Sequence, residues 1–141
     1  MKTYIGTKII QAEPAYRVSN DHAHHIIVTD PADAYANYPD VEEGYRVRYQ
    51  DGYESWSPKA AFEEAYRSTD GVNFGLALEA MKKGMGARLP HWKPDVVIRV
   101  QYPDEHSKMT APYLYVESRY GRVPWKETMI ELFSDDWVIV E

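Results

Sequence analysis

The chain has 141 residues, of which 44% are hydrophobic, and a formal charge of −6. That length suits one ordinary domain or two very small ones, and that hydrophobic share argues against global disorder. The negative balance works against sequence-independent binding to a nucleic-acid backbone, which uses a basic face, yet leaves room for a small anion held by a few arginines and backbone N–H groups. No apolar run approaches the ~20 residues needed to span a bilayer. Met1-Lys2-Thr3-Tyr4 lacks an apolar signal core, and the absence of cysteine removes disulfides and thiolate metal sites. A cytosolic protein fits, including one made by a phage inside its host.

In chain order, Thr3 to Gln11 is expected as a strand, since Ile5, Thr7, Ile9 and Ile10 are β-branched. From Glu13 to Glu43 the pattern weakens, broken by Pro14, Pro31 and Pro39, and only Ile26 to Thr29 reads as a short strand. Tyr45, Val47 and Tyr49 alternate with Arg46, Arg48 and Gln50, the pattern of a half-buried strand. Asp51-Gly52 is a hairpin turn signal and Tyr53 to Trp56 its returning strand. Ser57-Pro58 starts a helix to about Arg67, with Phe62, Ala65 and Tyr66 buried.

The turn formers Ser68-Thr69-Asp70-Gly71 divide the chain into a β-rich module, 1–70, and a second domain, 71–141. In the second, Phe74, Ala77, Leu78 and Met81 form one apolar helical stripe behind an Asn73 cap. Gly84 or Gly86 ends that helix. Strands follow at Ala87 to Leu89, at Val96 to Val100 and at Tyr113 to Ser118. A turn at Tyr120-Gly121 leads to Arg122 to Trp125, then a helical turn near Thr128 to Phe133 and a last strand, Trp137 to Val140. The class is α+β: a helix on a mostly antiparallel sheet, preceded by a small hairpin-and-helix module.

Asn73-Phe74-Gly75, Ala77-Leu78, Gly84, Ala87-Arg88, Trp92, Tyr113, Pro124-Trp125 and Asp135-Asp136-Trp137 with Val138 and Val140 occur in an informative order. Over residues 73–141 the chain resembles a family of small phage-encoded proteins known as Thoeris anti-defence type two. One protein of that family was first described as an anti-CRISPR inhibitor of Cas9. The resemblance implies a sponge that binds a cyclic nucleotide immune signal without cleaving it. The signal would be a cyclic ADP-ribose isomer or a cyclic dinucleotide. It further implies a homotetramer with pockets between subunits, in the host bacterial cytoplasm. Where the family commonly has glycine before and after the first tryptophan, this chain has His91 before Trp92 and Lys93-Pro94 after it. Tyr53-Glu54-Ser55-Trp56-Ser57-Pro58 looks like a module found in small phage proteins of unknown function.

Each candidate site residue has two readings. Trp92 and Trp125 are base-stacking surfaces or core residues; Trp137, alternating with Ile139, reads as core. Arg88 is a phosphate fork or a solvated strand residue. Asn73 is a helix cap whose neighbouring N–H groups, with Phe74 beside them, also suit an anion. Thr128, Asp135 and Asp136 are hydroxyl or base-edge readers or turn residues. His22, His24 and His25 read as a polar loop before a metal set, and Asp104-Glu105-His106 as a loop before an acid–base pair. The expected ligand-binding set is therefore Asn73, Phe74, Arg88, Trp92, Trp125, Thr128 and Asp136, with no catalytic residue, metal, cofactor or direct nucleic-acid contact. The alternatives are an anti-CRISPR protein that contacts a nuclease directly and a nucleotide-processing enzyme.

Overall fold

The computed structural model describes residues 1–19 and 25–141. They form two compact units, Met1–Tyr66 and Arg67–Glu141. Both are antiparallel sheets with short helices, so the class is α+β.

Unit 1 contains β1 (Gln11–Ser19), β2 (His25–Val28), α1 (Pro31–Asn37), β3 (Asp40–Arg48), β4 (Glu54–Pro58) and α2 (Lys59–Ala65). Its strand order is β2-β1-β3-β4. The expected strand over Thr3 to Gln11 is corrected: the chain enters the sheet only at Gln11 and stays in it through Pro14 to Ser19. Propensity favoured the wrong stretch because pairing partners decide. β3 opposes all nine residues of β1, whereas β2 opposes only Tyr16 to Ser19. Pro14 thus lies where β1 has a neighbour on one side alone, an edge position in which proline is tolerated. Pro31 does not break structure either. It opens α1, where the Asp30 side chain accepts from Ala32 N–H at 3.0 Å.

The Asp51-Gly52 turn forms with Gly52 at φ +89°. Ser57, expected to cap α2, lies within β4, and α2 starts after Pro58 without a side-chain cap. Phe62 and Tyr66 are half-buried and stack in series on Tyr45, but Ala65 is exposed. On the other sheet face the Trp56 indole lies across Gly44 and donates to Ala15 O at 3.0 Å. A side chain at 44 would collide with that ring and with Ser57 O.

Unit 2 contains α3 (Phe74–Lys82), β5 (Gly86–Arg88), β6 (Val97–Gln101), β7 (Tyr113–Ser118), β8 (Gly121–Pro124), α4 (Met129–Leu132) and β9 (Val138–Val140). The strand order is β8-β7-β6-β5-β9. Gly84, at φ +98°, ends α3 and donates to Met81 O; Gly86 belongs to β5. Ala77 and Met81 pack with Val72, Ala87, Leu89, Ile98 and the fully buried Trp137 to form the core. Trp137 falls just before β9 and exchanges two backbone hydrogen bonds with Val72, both 2.9 Å.

Candidate functional site

Trp137 organises the site. Its ring is fully buried, and its indole Nε1 donates to Glu131 O at 2.9 Å. That bond ties α4 to the core. Three half-buried aromatic residues surround it. Phe74 lies 5.3 Å away between ring centroids, Trp92 at 5.4 Å and Trp125 at 6.0 Å. The two tryptophans meet Trp137 at 90°, the edge-to-face geometry that aromatic quadrupoles favour. Phe74 also touches Trp125 at 5.9 Å. Each residue reaches the cluster from a different element: Phe74 from the first turn of α3, Trp92 from the turn after β5, Trp125 from the residue after β8. Backbone bonds from Trp92 N–H to Leu89 O (3.1 Å) and from Trp125 N–H to Leu114 O (2.9 Å) fix their entry. The result is a set of rings, each packed on the core and partly open to solvent.

Asn73 caps α3 through its side chain, which accepts from Leu76 N–H at 2.9 Å. The N–H groups of Phe74 and Gly75 remain at the helix start beside the ring cluster. The Val72–Trp137 bridge brings Asn73 alongside Asp136, whose backbone N–H donates to Ser134 Oγ at 3.1 Å. Asp135 and Asp136 are exposed.

Arg88 is placed differently from these. Ala87 faces the core opposite Ile98 and Ile139, so strand alternation puts Gly86 and Arg88 on the other sheet face. Gly86 lies there against Val97, Val140 and Arg99. The Arg88 guanidinium donates to Trp92 O at 2.6 Å, its buried Nε has no partner, and no carboxylate among the described residues lies within ion-pair distance of it. It therefore staples the turn that carries Trp92 and keeps unused donors. Thr128 completes a capping box with Glu131, whose carboxylate accepts from both Thr128 N–H (2.8 Å) and Thr128 Oγ1 (2.9 Å).

Sequence reasoning missed Glu131 as the link between cap and core, since nothing in the pattern shows that Trp137 would bond its carbonyl. It also missed α4's outward face. Met129, Ile130 and Phe133 are 68%, 86% and 82% exposed. Two acids of unit 2, Asp95 before β6 and Glu117 on β7, are engaged. Arg119 binds Asp95 with its guanidinium and its backbone N–H, which holds that carboxyl far below its ordinary range. Arg122 lowers Glu117 in the same way, with Arg99 adding to it. Of His22, His24 and His25, the first two lie outside the described residues; the His25 ring is 3.2 Å from Ser19 Oγ. In the Asp104-Glu105-His106 loop, Asp104 accepts from His106 N–H and Ser107 Oγ.

All these elements lie in one stretch of sequence. Residues 72–140 match the Thoeris anti-defense 2-like domain. The match begins at Val72, the bridge partner of Trp137, and ends at Val140, the last residue of β9. The Thoeris anti-defense 2-like segment thus contains the ring cluster, the α3 cap and the α4 capping box, and none of unit 1. None of the curated proteins compared matches the chain. No helix among the described residues is long and apolar enough to cross a membrane.

Proposed function

We propose that the Thoeris anti-defense 2-like segment sequesters a cyclic nucleotide immune signal of a bacterial host on behalf of a phage. The ligand class is a cyclic ADP-ribose isomer, a cyclic dinucleotide or both. The observation that carries this reading is the convergence of Phe74, Trp92 and Trp125 on Trp137 within the matched segment. Half-exposed rings seated on a rigid core give flat apolar surface to a purine at little entropic cost, and such stacking is worth ~1–3 kcal/mol per base. The N–H groups at the start of α3 add partial positive charge for a phosphate. Asp136, beside Asn73, supplies an acceptor for ribose hydroxyls or base edges. Thr128, spent on its capping box, holds α4 against Trp137 and contributes its position.

Sequestration is binding without bond cleavage. Glu131 is committed to Thr128, Glu117 to Arg122, and Asp95 to Arg119. These carboxylates serve as structural partners, which supports release of the ligand intact.

Assembly belongs to the same reading. Three large apolar side chains on one capped turn are an interface signature. In a homo-oligomer, a tetramer as the family resemblance implies, α4 of one copy covers α4 or the ring cluster of another. Arg88 sits on the sheet face opposite the core, so a pocket shared between copies brings its unused donors to the phosphates of a ligand stacked on another copy's rings. The host cytoplasm, where such signals are made, is the proposed compartment.

The test is direct. Purified chain is titrated calorimetrically with a cyclic ADP-ribose isomer and with a cyclic dinucleotide, using linear ADP-ribose as control. The reading expects saturable, near-stoichiometric binding of at least one cyclic ligand. Failure of both to bind refutes it. Direct inhibition of a guided nuclease by the nucleotide-free chain would favour the anti-CRISPR alternative.

A further inference from the structure

A sheet edge presents unpaired N–H and C=O groups, and folded proteins guard it with proline, charge or a covering segment. The outer strands of the two sheets are β2, β4, β8 and β9. β4 carries Glu54 and ends in Pro58, which has no N–H. β8 carries Arg122 and ends in Pro124. β9 is covered: Ile139 N–H donates to Thr69 O at 2.7 Å, beside the Val72–Trp137 bridge. β2 is guarded by its shortness alone and has none of these other devices. Its four residues, His25-Ile26-Ile27-Val28, include no proline, acid, lysine or arginine. β1 takes one side of the strand, and among the described residues nothing pairs with the other. Ile26 and Ile27 point to opposite faces and are 40% and 42% exposed. An open edge that is apolar on both faces is the template that strand addition uses.

We propose that β2 pairs antiparallel with β2 of a second copy about a twofold axis, joining two unit 1 sheets into one. The occupant is a second copy for three reasons. A twofold operator uses the same edge on both chains and leaves neither open. The strand carries no acid, lysine or arginine, so no like charges from them are brought face to face. Nor does it carry one to select a different strand. The axis runs perpendicular to the sheet and keeps like faces together. It therefore sets Ile26 against Ile26 of the partner subunit, or Ile27 against Ile27 of the partner subunit. Either register buries β-branched side chains in direct cross-strand contact. This interface lies in unit 1, outside the matched segment, and stands independently of the nucleotide reading. Its consequence is that two ligand-binding units become tethered, which raises the effective concentration of each for the other.

The chain has no cysteine, so single cysteines report without background. Directly opposed Cβ atoms lie ~4.5–5.5 Å apart in an antiparallel pair, close to the span of a disulfide. Full-length Ile26→Cys and Ile27→Cys proteins are oxidised mildly and run on a non-reducing gel. The proposal expects one of them to become a covalent dimer much faster than Ser55→Cys on β4 or Val123→Cys on β8. A second variant needs no oxidation. The double change Ile26→Lys, Ile27→Lys places charge on side chains that are already partly exposed. It is expected to halve the wild-type mass in light scattering, with the far-ultraviolet dichroism preserved. Cross-linking at β2 no faster than at β4, or an unchanged mass in the folded double variant, overturns the proposal.

Discussion

Changing Trp125 to alanine separates the proposed ligand contact from packing, because the ring is packed on the core yet partly open to solvent. Complete loss of a buried tryptophan costs ~3–5 kcal/mol. Trp125 is half-buried and packs against Phe74 and Trp137. About half of that cost, roughly 2 kcal/mol, is therefore expected in stability. For a unit of this size that lowers the melting temperature by roughly 10 °C and leaves it folded at room temperature. The solvent-exposed part of the ring carries the proposed binding share. Loss of one stacked base removes ~1–3 kcal/mol, or about 5- to 150-fold in affinity. Trp137→Ala is the contrast. It empties the centre of the core and leaves Glu131 O without its indole donor. It should abolish the fold of unit 2, and binding with it. Calorimetric titration and thermal melts on the same samples read both quantities. A folded Trp125→Ala protein with wild-type nucleotide affinity would refute the stacking argument.

Three further outcomes are expected. Gly44→Ala drives a methyl group into the Trp56 ring and Ser57 O, and overpacking of this kind costs ~1–3 kcal/mol; unit 1 should lose stability while nucleotide affinity is retained, as melts and titration will show. Asp95→Asn breaks the pairing that depresses Asp95 when folded. That contribution is present above the unfolded carboxyl pKa of about 4 and fades as pH falls toward the folded value, so wild type and variant should differ in melting temperature at neutral pH and converge in acid. Phe133→Glu on α4 alters a side chain that is 82% exposed; it should reduce assembly mass in light scattering without lowering the melting temperature of the separated chain.

The second half of the chain was legible because its signals are local. The α3 stripe, the Asn73 cap, the strand from Tyr113 to Ser118, the Gly121 turn and the core role of Trp137 each follow from a few neighbouring residues. The first half was less so because its decisive terms are long-range. Thr3 to Ile10 has strand propensity but joins neither sheet, whereas Gln11 to Ser19 has lower propensity and is opposed along its whole length by β3. Gly44 looks like a weak strand residue until the Trp56 ring is seen lying across it. In the site, the aromatic candidates could be named from sequence. The sheet face taken by Arg88 follows from the alternation of Ala87, Arg88 and Leu89, but its bond to Trp92 O depends on the path of the following turn, which no local pattern reveals.

The central claim is that a cyclic nucleotide is held and not consumed. The chain is incubated at length with a cyclic ADP-ribose isomer or a cyclic dinucleotide, filtered free of unbound ligand and denatured by heat. The released material is then identified by chromatography and mass spectrometry. The account predicts intact cyclic nucleotide, up to the number of binding sites. Linear or cleaved product in excess of the protein would contradict it.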